Sequence, residues 1–194
     1  MRKLFVVGIM ILALLAAGCS KAPAEAALKV ADEAVAKVKP EAEKFVPEQF
    51  NALTAAVADA RAKFDAKDYK GALTAAQEIP AKADETMKAA TAKKEELTKQ
   101  WADLQGSLPT MVQGLTEKIG GLAAMKKLPK GFDATMLESA KTSLADVTSG
   151  WTAATEAYTG GDIVDAIAKA GDVKTKAETL SKMLEVVPAP AAAK

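Results

Sequence analysis

Histidine is absent from the 194 residues, and cysteine occurs once. Without histidine there is no Ser-His-Asp or Cys-His catalysis and no imidazole metal site. A single cysteine excludes an intramolecular disulfide framework and a thiolate cage. Aromatic side chains make up 5% of the chain, and β-branched residues are few, which argues against sheet. Alanine and lysine are plentiful, with 43 and 24 occurrences. Both favour helix, and the expectation is an all-α fold.

The first eighteen residues read as an export signal. Arg2 and Lys3 form a positive start, and Leu4 to Ala17 is a 14-residue apolar run, short for a membrane span. It ends in Ala16-Ala17-Gly18-Cys19. This stretch resembles the bacterial lipoprotein signal, in which small residues precede an obligatory cysteine. The resemblance implies that Cys19 takes a diacylglycerol on its thiol. Cleavage then leaves it as the first residue of the mature chain, acylated on its amine. Several acyl chains on one residue give stable membrane anchoring. Ser20, where an aspartate would favour inner-membrane retention, points to the outer membrane. The implied location is the cell envelope, lipid-anchored in the outer membrane and facing the periplasm.

Loss of the signal leaves 24 basic and 25 acidic side chains. A near-neutral exported chain has no use for a nucleic-acid partner. Lys93-Lys94 stands beside Glu95-Glu96 and reads as a solvated helix face.

Apolar residues recur at alternating steps of three and four. Leu28, Ala31, Val35, Val38, Ala42 and Phe45 make one stripe, and Phe50, Leu53, Val57, Ala60 and Phe64 the next. A longer series runs from Ala76 through Trp101 to Leu108. Leu137, Ala140, Leu144, Val147, Trp151, Ala154 and Tyr158 follow, and the last series runs from Ile163 to Val187. This is the seam spacing of helices packed side by side. The breakers Pro40, Pro47, Pro109, Gly120-Gly121 and Pro129-Lys130-Gly131 divide the stripes. Asp68, Asp133 and Asp162 are placed to cap helices. The spacing predicts helices over 24–39, 47–66, 68–105, 108–126, 133–159 and 162–186, with Pro80 kinking or splitting the third. The expected architecture is an elongated antiparallel bundle of about six helices over residues 24–187. A lipidated linker at 19–23 would precede it, and a flexible Pro/Ala tail at 188–194 would follow.

Asp68-Tyr69-Lys70-Gly71-Ala72-Leu73 and Asp162-Ile163-Val164-Asp165-Ala166-Ile167 correspond at an offset of 94. Either hairpins 47–105 and 133–186 are duplicates, or Ala-rich hairpins converge by composition. Around Pro47, Phe50, Ala60, Asp68, Tyr69 and Ala72, roughly residues 45–90, the chain resembles an uncharacterised helical-hairpin domain of bacterial envelope proteins. That resemblance implies an envelope location and assigns no activity.

No calcium loop, phosphate loop or nucleophile elbow occurs. Glu95 and Glu96 point to different helix faces, and capping accounts for Asp162 and Asp165. The expectation is therefore a non-enzyme with no catalytic residue, cofactor or metal. Trp101, Trp151, Tyr69 and Tyr158 lie on the apolar stripes and read as core. At the C-terminus Lys194 follows Pro188-Ala189-Pro190-Ala191-Ala192-Ala193. Anchor, helical body and terminal lysine together are similar to murein lipoprotein. That similarity implies peptidoglycan attachment through Lys194. The leading expectation is a scaffold, spacer or protein-interaction module with envelope proteins as partners. The alternatives are a carrier or chaperone for lipid or unfolded outer-membrane protein, and a covalent peptidoglycan tether.

Overall fold

The computed structural model describes residues 21–185. Five helices occur in this range: α1 (Lys21–Phe45), α2 (Pro47–Asp65), α3 (Tyr69–Ala123), α4 (Ala134–Thr159) and α5 (Ile163–Glu185). No strand occurs among the described residues, so the fold is all-α. The chain divides into two compact units at Lys93/Lys94.

The first unit consists of α1, α2 and the part of α3 over 69–93. Its core takes Leu28, Ala31, Val38 and Ala42 from α1, Phe50, Leu53, Val57 and Ala60 from α2, and Ala76, Ile79 and Ala83 from α3. All but Ile79 are seam positions that the spacing predicts; the spacing puts that seam position at Pro80, and its neighbour Ile79 is buried instead. Alanine at so many of them lets backbones approach closely, while the few large residues supply most of the buried area. α1 and α2 are separated by Val46 alone, with Pro47 in the first turn of α2, where its missing donor costs nothing. The backbone bonds Val46 N–H to Ala42 O (2.9 Å) and Phe50 N–H to Val46 O (3.0 Å) continue through this junction.

The second unit consists of residues 94–123 of α3, α4 and α5. Trp101, Leu108, Leu115 and Ile119 pack with Leu137, Val147 and Ala154 of α4 and with Ala166, Val173, Leu180 and Leu184 of α5. Residues 124–133 join α3 to α4. Gly131 takes a φ of 90° there, Phe132 is buried, and Asp133 caps α4 by accepting from Met136 N–H at 2.8 Å.

The expected six helices become five. Segments 68–105 and 108–126 are one helix, and the first helix runs past Pro40 to Phe45. Neither Pro80, Pro109 nor Gly120-Gly121 interrupts α3. The reason lies in where two of the prolines sit. Pro40 and Pro109 are exposed, as are Ala36 and Gln105, whose carbonyls lose their i+4 donor. Those carbonyls open to water, and the buried stripe on the opposite side continues unbroken.

The turns between α2 and α3 and between α4 and α5 share one hydrogen-bond pattern. In the first, Lys67 N–H donates to Phe64 O and Asp68 N–H to Lys63 O, both at 2.9 Å. This is a Schellman closure. Asp68 then caps α3, its carboxylate accepting from Gly71 N–H at 2.9 Å. In the second, Gly161 donates to Tyr158 O and Asp162 to Ala157 O at 2.9 Å, and Asp162 accepts from Asp165 N–H at 3.3 Å. Every partner lies 94 residues beyond its counterpart. The central residue is left-handed in both, Lys67 at φ 65° and Gly161 at φ 84°.

Candidate functional site

Cys19 and Lys194, the two residues the sequence singles out for covalent chemistry, lie outside the described residues. So do the signal at 1–18 and the tail at 188–194. No described helix is long and apolar enough to cross a membrane.

Within the second unit the structure brings three aromatic rings together. Trp101 stacks on Tyr158 (centroids 4.5 Å apart, planes at 12°) and on Trp151 (5.5 Å, 16°). Positions 151 and 158 are two turns apart on α4, a rise of about 10.5 Å. The two ring spacings match that rise, so the Trp101 ring inserts between the other two. Trp101 is 2% exposed, and its Nε1–H has no acceptor. A buried donor without a partner costs about 1–3 kcal/mol, offset here by stacking on both faces. The core assignment therefore holds for Trp101 and is corrected for Trp151, Leu144, Tyr158 and half-buried Tyr69. Trp151 and Leu144 are half-buried, and Tyr158 is 39% exposed. The seam places α4 residues of one stripe at equal depth, but Trp101 fills the interior and lifts the flanking rings toward solvent.

In the first unit a groove between α2 and α3 encloses about 480 Å³. Ala56 and Ala75 line it, with Asp59, Lys63, Glu78 and Lys82 among the charged residues around them. Those charges pair along their own helices, Lys63 with Asp59 and Lys82 with Glu78 at 3.2 Å. The Asp59 carboxylate, as hydrogen-bond acceptor, raises the Lys63 pKa. A second hollow of about 520 Å³ continues past Lys82 to Thr86, the buried polar residue of the core. The Thr86 hydroxyl donates to Lys82 O at 2.8 Å. The spacing assigns the place between Ala83 and Ala90 to Met87, but Thr86 is the buried residue there and Met87 is half-buried.

Arg61 of α2 donates to Asp32 of α1 at 2.6 Å. That hydrogen bond and the Asp32 charge raise the Arg61 pKa. The other acidic residues noted in the sequence serve local structure. Glu96 accepts from Gln100 at 2.8 Å, Asp162 caps α5, and Asp165 pairs with Lys169. No group of three or more metal-ligating side chains occurs among the described residues. Neither a protein-family model, nor a curated protein, nor a solved structure matches the chain.

One contact carries further weight. The Lys21 ammonium, in the first turn of α1, sits 5.6 Å from the centroid of the Phe64 ring. Phe64 in turn meets Tyr69 edge-on at 5.2 Å. The start of α1, the end of α2 and the start of α3 thus converge at one end of the first unit. Sequence spacing does not reveal this, since Lys21 precedes the apolar stripe.

Proposed function

We propose that the protein is a non-enzymatic, lipid-anchored scaffold, spacer or protein-interaction module of the bacterial envelope, facing the periplasm. The observation that carries this reading is the Ala16-Ala17-Gly18-Cys19 run after a 14-residue apolar stretch. Behind it stands α1, described from Lys21 and one of five helices with alanine-rich seams among the described residues. Acylated Cys19 holds the chain at the bilayer, and the helical units present their charged outer faces to envelope partners. The α2–α3 groove, with small residues between paired charges, suits contact with another protein's helix better than enclosure of a small molecule.

The test has two arms. Cells fed a labelled fatty acid should incorporate it into the wild-type chain and not into Cys19→Ser, and only the wild type should mature and fractionate with outer membranes. Crosslinking of the acylated protein in intact cells, followed by capture, should return a reproducible envelope protein or wall fragment. Normal maturation of the serine variant overturns the anchor, and capture that returns neither overturns the module.

A further inference from the structure

Contacts within the second unit show which helix ends meet. Trp101 lies between Trp151 and Tyr158, near the end of α4. The end of α3 at Ala123 therefore stands by the start of α4 at Ala134, and residues 124–133 close the gap. α5 returns along α4, since a β-carbon on Gly150 would meet Val173 Cγ2 at 2.8 Å. The end of α5 thus reaches the same place.

Three methionines stand at that end. Met125 lies two residues past α3, Met136 in the first turn of α4, and Met183 two residues before Glu185 at the end of α5. Each is half-buried and packs against the core of the second unit. The seam does not call for a thioether, because Ala89 stands opposite Met183 at the offset of 94. The segment beneath them is weakly held. Between Lys126 and Gly131 no backbone N–H donates to a backbone carbonyl among the described residues. Buried Phe132 and half-buried Leu128 and Met125 hold it to the core instead. A stretch with few backbone bonds, held by side-chain cover, opens ahead of the rest of a fold. The chain has no histidine, and its one cysteine lies outside the described residues. Among the described residues thioethers are therefore the groups that take up an oxygen atom most readily, Trp101 being buried.

We propose that Met125, Met136 and Met183 form an oxidation site for small hydroperoxides, and that their sulfoxides release the 124–133 segment from the core. In each step a thioether lone pair attacks one peroxide oxygen. The S–O bond forms as the O–O bond breaks, the proton on the transferred oxygen passes to the departing hydroxide, and one water leaves. Sulfur loses two electrons and the peroxide gains them. The product puts a polar group where an apolar one covered the core, and methionine sulfoxide reductases reverse it. Met111 packs on the same core from the middle of α3, and Met87 on the core of the first unit. Intact helix on both sides shields them, so they serve as internal references. The inference is independent of the anchor reading.

The test treats the purified full-length protein with millimolar hydrogen peroxide, quenches with free methionine and maps the peptides by mass. Met125, Met136 and Met183 should gain one oxygen several-fold faster than Met87 and Met111. Trypsin under native conditions should then cut after the exposed Lys127 and Lys130 several-fold faster than in untreated protein. Treatment with the reductases for both sulfoxide epimers should restore the slow rate. In M125L/M136L/M183L, which keeps the apolar volume, peroxide should leave the tryptic rate unchanged, whereas M87L/M111L should respond as the wild type does. Equal oxidation of all these methionines, oxidation without faster cutting, or faster cutting of the oxidised triple leucine variant overturns the proposal.

Discussion

Lys67 and Gly161 occupy the same left-handed position in matching turns, and only glycine does so without strain from a β-carbon. Lys67→Gly should therefore stabilise the first unit by about 1 kcal/mol, and Gly161→Ala should destabilise the second by about 1–2 kcal/mol. Urea midpoints check both. Gly71 has a different constraint, because a β-carbon there would come within 2.1 Å of the Asp68 carboxylate. The second turn shows the consequence, since Asp165 stands at that position and its cap bond is 3.3 Å against 2.9 Å. In the aromatic stack, Trp101→Ala should cost about 3–5 kcal/mol. Trp101→Phe should cost clearly less, because it removes the unpartnered donor along with the extra ring. Half-buried Trp151 and Leu144 should lose only about 1–2 kcal/mol on truncation to alanine. A Trp151→Ala loss as large as that of Trp101→Ala would contradict the depth order of the rings.

At the scale of the element, periodicity and prolines give conflicting signals, and periodicity prevails. The three-four spacing of Leu97, Trp101, Leu104, Leu108, Leu115 and Ile119 continues in phase across Pro109, and the helix follows the spacing. A proline on the water face removes one hydrogen bond, while a break would expose a stripe worth several times as much. Pro109→Ala should accordingly stabilise the second unit by about 1–3 kcal/mol, read as a raised denaturant midpoint with unchanged slope. A lowered midpoint would mean that the ring is needed at that position. The helix stripes, the caps at Asp68, Asp133 and Asp162, and the first turn at Pro47 were legible because each depends on neighbours within a few residues. The Trp101 insertion, the Arg61–Asp32 pair and the Lys21–Phe64 contact were not, because they join residues 29 to 57 positions apart. Such contacts follow from the rotation of one helix against another, on which local spacing is silent.

For the whole molecule, the turns between α2 and α3 and between α4 and α5 share their hydrogen bonds at an offset of 94 residues. Both turns close one helix by a Schellman motif and open the next with an Asp cap, in otherwise different sequence. The residues at the same offset differ elsewhere, with Thr86 against Leu180 in the core and Val57 against Trp151 beside it. Near-balance of charge and the absence of histidine shape the response of the entire chain to pH. No side-chain type present in the chain has an ordinary pKa between about 5 and 8. The Arg61 pKa is raised by the hydrogen bond to Asp32 and by the Asp32 charge. A raised folded pKa stabilises fully below the unfolded value and loses that contribution as pH climbs through the folded one. For Arg61 that loss falls in strong alkali, so the guanidinium stays charged beside Asp32 throughout the neutral range. Lys63, raised by Asp59 from 10.5, follows the same sign and loses its contribution only in strong alkali. The free energy of unfolding in urea should therefore be level from about pH 6 to pH 8.5, with any decline confined to the acid and alkaline sides. A slope inside that window would require a titrating group that the composition does not supply.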